Sequence, residues 1–515
     1  MKTLALIVVA VALTLAYTQA YGALNQATYL LDPLHRAMPE LYHRDWFVNT
    51  PPYLPVFGWL VRWLYALDPA GSVAILVVHV IVTVATYAGL YRITTAVSPG
   101  ARTALIVAGF MTLTMGLSMG GSYILGNYFQ PSSLATVGWM FAIAALVRRR
   151  WIACGIAAAL AGVVHANFLV LGIGLFPVAA IAIQRISLRD LASVLAPQLV
   201  VLAFFLPQLI GAAGPSHQAV ELLINFHAPI HYAPHRQVWA IPELLAWELA
   251  ALAALGSIDD TAREARALWR FSVVAFAIVA AAALIANSTP WHALVQVRVS
   301  RIAPFGQLAA QIVVAAAVMS PARRRIGFEL LAICALLMTC RQWHFGVPTM
   351  VLLAACVLLA RYLRAGVAVI AIVVALWFSQ RGAGVRLEPF GAPTELALET
   401  WAREHTATDA LFVIPPELGR FRLLSRRAIV VDTKSPPLRP DLLVAWYHRL
   451  CALVLVEDAP TFQAIEQRYG ELAPDQLAQV ARSFDADYIV VSTRAPQPAG
   501  LAAFTNADYA VYRAR

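Results

Sequence analysis

The chain has 515 residues, 60% hydrophobic and 13% charged, with a formal net charge of +10 and a mean hydropathy of +0.69. Soluble domains carry about a quarter of their residues as charges, so a soluble globular enzyme is excluded, as are disordered and fibrous chains. The apolar excess belongs in lipid, in spans of roughly 20 residues. The basic residues cluster between apolar runs, which argues for membrane orientation and against a nucleic-acid partner.

Met1-Lys2 open an apolar run that reaches about Ala20. A cleaved signal peptide has the same outline. A retained first helix is the favoured reading, because a polytopic chain needs an orienting span. Further apolar runs fall near 72–95, 103–120, 131–147, 151–164, 167–184, 191–213, 242–256, 270–287, 303–320, 326–340, 347–360 and 365–379. Arg92 with Arg102, Arg148-Arg149-Arg150, Arg185 with Arg189, the arginines of 263–270, Arg323-Arg324-Arg325, and Arg361 with Arg364 occupy every second connection. Placing all of them in the cytoplasm gives about 13 spans, with the N-terminus inside and the C-terminus outside. The stretch 151–184 then crosses twice, with His165 and Asn167 at its turn. Segments 22–71, 121–130, 214–241 and 288–302 face outward, with a short fifth loop at 341–346.

The composition changes near Gly384. About 30 of the last 131 residues are charged, close to the soluble norm. Short β-branched runs at 409–414, 428–432 and 487–492 read as strands, and 395–404 and 475–484 as helices. The expected fold is therefore mainly α. It comprises a polytopic membrane body over 1–383 and a small extracytoplasmic α/β domain over 384–515. Neither a glycine-rich phosphate loop nor a solenoid repeat is visible. Cys154, Cys334, Cys340 and Cys356 lie in apolar runs and Cys451 stands alone, so neither disulfides nor structural zinc are expected. Of the 38 basic residues, all but Lys2 and Lys434 are arginine, which reads as genome composition as much as chemistry.

The first outward segment concentrates polar residues: Asp32, His35, Arg36, Glu40, His43, Arg44 and Asp45, followed by Trp46-Phe47. A carboxylate at a membrane surface can serve as general base or bind a metal. Asp45 is the leading candidate because the aromatics after it bring it to the bilayer interface. Glu40 and Asp32 are the alternatives, and Asp32 before Pro33 also suits a turn. His43 and Arg44 stand beside them, and arginine can hold a phosphate bidentately. In the next loop His227, His231 and His235 are spaced by four, but Pro229 and Pro234 forbid one continuous helix. His231, His235 and Arg236 read better as binders of a polar or anionic substrate than as a metal site. Arg298 and Arg301 break the orienting pattern on the outer side, where arginine suits a lipid phosphate. Snorkelling at a helix end is the plain alternative. His165, Asn127 and Gln130 are further polar groups near outer helix ends.

This arrangement resembles the GT-C superfamily of integral membrane glycosyltransferases, and more closely a bacterial group of uncharacterised GT-C-like proteins. The resemblance is carried by Asn25-Gln26 … His43-Arg44-Asp45-Trp46, by Phe226-His227-Ala228-Pro229-Ile230-His231-Tyr232, and by Ala410-Leu411-Phe412-Val413-Ile414-Pro415-Pro416 … Phe421-Arg422-Leu423-Leu424-Ser425-Arg426-Arg427 … Val431-Asp432-Thr433-Lys434. It implies a loop carboxylate acting as base or metal ligand, at the position of Asp45, and a polyprenyl-phosphate-linked sugar donor. No paired acidic motif accompanies Asp45, so no resident cofactor is expected and a divalent metal stays an open alternative. The resemblance thus points to a bacterial inner-membrane glycosyltransferase whose donor enters laterally from the outer leaflet. Asp45 would deprotonate the acceptor hydroxyl, and Arg298, Arg301 or Arg44 would hold the departing phosphate. His231, His235 and Arg236 would line the acceptor side. The partners are the lipid-linked donor, membrane lipids, and a glycan, lipid or protein acceptor. A flippase for lipid-linked saccharides and a non-catalytic scaffold of envelope glycan assembly are the rival readings.

Overall fold

The computed structural model describes residues 21–51, 54–99, 101–114, 117–126, 128–210, 216–256, 258, 262–288, 297–320, 333–335, 338–339, 389–437 and 439–514. The first apolar run, the expected spans at 347–360 and 365–379, most of that at 326–340, and the boundary at 384 lie outside these residues. So do Asn127 and the loop 341–346.

The chain is a polytopic membrane protein built mainly of helices, with one small sheet near its C-terminal end. The body contains α4 (Ser72–Val97), α5 (Ala101–Thr114), α6 (Pro131–Val147), α7 (Trp151–Val164), α8 (Ala166–Ile183), α9 (Leu188–Ile210), α12 (Ile241–Leu255), α13 (Arg263–Ser288) and α14 (Ala303–Met319). Among the described residues five helical stretches are long and apolar enough to cross a bilayer: Ser72–Val97, Ala166–Ile183, Leu188–Leu206, Arg263–Ile285 and Val299–Met319. The stretch 151–184 is two helices that meet at His165, whose extended backbone caps both. Of the run expected at 103–120, Ala101–Thr114 is helical and 117–122 is not, and α13 starts at Arg263 rather than near 270, since arginine is itself a good helix former. Helix α14 is the axis of the body. Its run of alanines lets neighbours approach closely, and it is buried along nearly its whole length.

Two outer segments carry helices of their own. The first holds α1 (Gln26–Tyr29), α2 (Leu31–Ala37) and α3 (Pro55–Leu67). Helix α3 buries Phe57, Val61, Leu64 and Tyr65 on one face and leaves Trp59, Trp63 and Leu67 exposed on the other. Such a helix suits the membrane interface. The second holds α10 (His217–Glu221), a π-helical turn over Leu222–His227, and α11 (Pro229–Tyr232). The prolines break this segment as expected.

The C-terminal region comprises α15 (Pro393–His405), β1 (Leu411–Val413), α16 (Phe421–Ser425), β2 (Ala428–Ile429), α17 (Pro440–Leu453), α18 (Phe462–Gly470), α19 (Pro474–Ser483), β3 (Tyr488–Ser492), β4 (Phe504–Thr505) and β5 (Tyr509–Arg513). Proline opens α15, α17 and α19, at the position where its missing N–H costs nothing. The sheet order is β2-β1-β3-β5-β4. Strands β2, β1 and β3 run parallel, with Leu411 opposite Ala428 and Phe412 opposite Tyr488. Strand β5 is antiparallel to both β3 and β4.

This region shares its cores with the outer segments. Leu423 and Leu424 pack with Leu30, Leu34, Tyr42 and Phe57. Val220, Leu223 and Phe226 pack with Leu443, Trp446 and Tyr447. Folding the tail therefore also orders both outer segments.

Candidate functional site

The strongest polar junction lies where the first outer segment meets the tail. Asp45 is fully buried, and one of its carboxylate oxygens accepts from Arg422 Nε at 2.7 Å and from the Ile429 amide at 3.0 Å. The other accepts from the Val48 amide at 3.0 Å. Arg422 also donates through Nη1 to Asp432 at 2.9 Å, and both of these side chains are buried. Tyr42 OH donates to the Arg422 carbonyl at 2.7 Å. The exposed interfacial base expected at Asp45 is thus replaced by an acceptor already filled by three donors and sealed from water. Arg44 likewise turns to the tail, with Nη1 2.6 Å from Asp487 and Nη2 3.1 Å from Asp485, rather than to an open anion site. Glu40 is exposed in the turn after α2, and His43 is exposed with its ring edge against His35.

Asp32 is placed differently. It stands on α2 in a cavity lined by Thr28, Tyr29, Phe47, Phe57, Pro436 and Arg439, among others. Arg36, one helical turn on, pairs with it at 2.8 Å. Asp32 is the acidic residue of this cavity, and its carboxylate is partly open to solvent. The walls come from α1 and α2, from the chain before α3 and the start of that helix, and from the tail segment that leads into α17 with its first turn.

A cationic cluster gathers about His231, where Arg298, Arg301 and Lys434 all act. Arg301 donates to His165 Nε2 at 2.7 Å, which fixes the proton of that neutral imidazole on Nδ1. The Arg298 guanidinium stacks 4.1 Å from the Tyr232 ring centroid and donates to its hydroxyl. His231 bonds through Nδ1 to the Gly120 carbonyl at 2.7 Å. Gly120 has φ +82°, and a Cβ there would collide with the Ser300 side chain. Only glycine lets the 118–122 loop close on the residues before α14. Arg298 itself has φ +47°, strained for a non-glycine residue, at the turn that aims the arginines. Lys434, from the tail, donates to Asn25 Oδ1 at 3.0 Å. Asn25 donates to Gln130 Oε1 at 3.2 Å, and Gln130 to Tyr123 OH at 2.6 Å.

The two halves meet at α1. Tyr29 lines the Asp32 cavity, and Asn25, which precedes α1, receives Lys434. Thr28 lines the cavity too, and its hydroxyl donates to the Lys434 carbonyl at 3.2 Å. Burial, and then Arg298, lower the His227 pKa to about 3; the same two causes lower that of His231, part of whose ring stays exposed. Both imidazoles are therefore neutral near pH 7. Burial also lowers the pKa of Lys434, partly offset by Asp432.

Of the other expected residues, Arg236 folds back on its own loop, donating to Asn225 Oδ1 at 2.5 Å and to the Ile224 carbonyl at 3.4 Å. The His235 side chain lies outside the described residues. Among the described residues no three His, Cys, Asp or Glu side chains gather as a metal site. Sequence reasoning missed Arg422, Asp432 and Lys434 as partners of the outer segment. One signal was present: in a chain that otherwise uses arginine, the lysine at 434 is an exception.

A family described as a domain of unknown function (DUF6798) matches residues 393–453. No curated protein sequence matches the chain. Among solved structures the fold is similar to that of ArnT from Cupriavidus metallidurans bound to undecaprenyl phosphate, with a TM-score of 0.56 at 15% identity, covering 100% of this chain and 97% of that one. The apo state of the same protein gives a TM-score of 0.52 at 16% identity with the same coverage. Arabinofuranosyltransferase AftD from Mycobacteria is 18% identical with a TM-score of 0.45, covering 99% of this chain and 41% of that one. The chain therefore has the fold of ArnT, a GT-C-like membrane fold.

Proposed function

We propose that this chain is a membrane glycosyltransferase that moves a sugar from a polyprenyl-phosphate-linked donor to an acceptor at the outer membrane face. The observation that carries this reading is one carboxylate, Asp32, in a cavity lined by Thr28 and Tyr29 of α1, next to Asn25, which receives Lys434 from a cluster of cations that also holds Arg298 and Arg301. The shared fold with a protein that binds undecaprenyl phosphate supports a lipid-phosphate ligand.

In this mechanism Asp32 takes the proton of the acceptor hydroxyl. Arg36, 2.8 Å away, holds the carboxylate in place on α2. The acceptor oxygen forms the new glycosidic bond as the bond from the sugar to the phosphate breaks. The electron pair leaves with the phosphate, and Arg298 and Arg301 stabilise that charge. Both arginines precede α14, so a lipid chain could lie along the membrane body while its headgroup meets them. Neutral His231 and Tyr232 contribute polar contacts to the same wall. Asp45 acts in this account as the residue that ties the outer segment to the tail.

The test is to incubate purified protein in nanodiscs with a panel of polyprenyl-phosphate sugars and to measure release of the polyprenyl phosphate. Release coupled to a glycosylated acceptor is the expected result. Movement of intact donor across a sealed vesicle, without release, would instead favour the flippase reading.

A further inference from the structure

We infer that Lys434 is an anion-binding residue that the tail delivers to the cationic cluster, and that Arg422 positions it there. The inference rests on the proposed function for the identity of the anion, a lipid phosphate.

Segment 432–435 is fixed from both ends. Asp432 receives Arg422 at 2.9 Å and the Ser435 amide at 2.5 Å, while the Thr433 amide and hydroxyl each donate to the Pro416 carbonyl at 3.0 Å. The lysine stem passes directly over Gly419, where a Cβ would collide with Lys434 Cβ and Cγ. The ammonium then crosses to the other side of the interface and meets a neutral amide, Asn25. A half-buried ammonium resting on an amide, with electrostatic reach to His227 and His231, adds positive charge to a wall that already holds Arg298. Two of its three N–H directions have no partner among the described residues, and Lys434 acts there as a compact point charge suited to a phosphate oxygen.

Arg422 is the positioning residue. It grips Asp45 on the outer segment and Asp432, two residues before the lysine, so one guanidinium fixes the spacing between Asn25's segment and the lysine loop. It is itself fully buried and cannot touch a ligand.

The chain has only two lysines, Lys2 and Lys434, which makes the test direct. Reductive methylation of the full-length Lys2→Arg protein with 13C-formaldehyde leaves Lys434 and the terminal amine as the labelled sites. Its 13C signal is then followed while a short-chain polyprenyl monophosphate, or inorganic phosphate in a separate arm, is added. The Lys434 signal should move saturably with the lipid phosphate; saturation by inorganic phosphate at the same concentration would assign the site to free phosphate and overturn the lipid-headgroup assignment. In unmethylated protein, Lys434→Ala should weaken lipid-phosphate binding roughly 10–100-fold, the loss typical of one charged hydrogen bond. Lys434→Arg should recover part of it. Gly419→Ala and Arg422→Lys should weaken binding in the wild-type background and add nothing to Lys434→Ala, which a merely structural role would not produce. An unmoved Lys434 signal at saturating lipid phosphate, or unchanged affinity in Lys434→Ala, would overturn the inference. A moving signal without any sugar transfer would uphold it and sink the glycosyltransferase reading. Transfer with an unmoved signal would do the reverse.

Discussion

Asp45 and Asp32 show how little residue type alone decides. Both are acidic, both precede apolar neighbours, and both lie in one outer segment. One sits against a buried arginine, the other in a cavity. Removing one partner of a buried ion pair typically costs about 3–5 kcal/mol. Asp45→Ala should therefore lower the melting temperature of the purified protein sharply, and Asp45→Asn should do so to a lesser degree because the amide oxygen still accepts one bond. Melts equal to wild type for both would show that the contact with Arg422 contributes nothing. His165 offers a second residue-scale prediction. Its Nε2 accepts from Arg301 at 2.7 Å, so His165→Ala should release that arginine and weaken lipid-phosphate binding, while His165→Gln, whose amide oxygen can accept, should retain most of it. Equal binding in all three proteins would remove His165 from the positioning of Arg301.

At the scale of elements, Glu399 on α15 gives the tail a pH dependence. It is buried, one of its oxygens has no partner, and burial raises its pKa to about 8, against a smaller opposing effect of Arg403. The folded state thus holds a proton that the unfolded chain releases near pH 4.5. Its contribution is fully present below that value, falls as pH rises toward about 8, and is constant above. Glu399→Gln should flatten this slope in chemical denaturation of the full-length protein between pH 5 and pH 8; an unchanged slope would show that the carboxyl is solvated. Most body helices were legible because apolar runs bounded by arginine are read directly, and α6 and α7 match their expected bounds to the residue. Strands β1 and β3 and helices α15 and α19 were legible for the same local reasons. Strands β4 and β5, and helices α17 and α18, were not assigned, although Tyr509–Arg513 is a short apolar run whose centre is buried, as in a core strand. The pairing of Asp45 with Arg422 spans 377 positions, and no local pattern encodes a partner at that distance. For the same reason Asp32 and Lys434 could each be seen in the sequence, but not their common neighbour α1.

For the whole molecule, the tail and the outer segments form one unit above the membrane body. On the topology we propose from the arginine alternation, the cavity, the cationic cluster and the tail lie together on the outer side of the membrane. A periplasmic reporter fused after Arg515 should be active and one fused after Arg150 inactive; the opposite pattern would invert the proposed orientation. The central claim is sugar transfer with Asp32 as base, and the most direct measurement is the rate of polyprenyl-phosphate release by Asp32→Asn, at matched amounts of folded protein, on the donor that wild type uses. Asp32 is partly exposed, so this isosteric change should leave the melting temperature near wild type. Loss of a general base should lower the rate roughly 10²–10⁴-fold. Near-wild-type release from a normally folded Asp32→Asn protein would contradict the account.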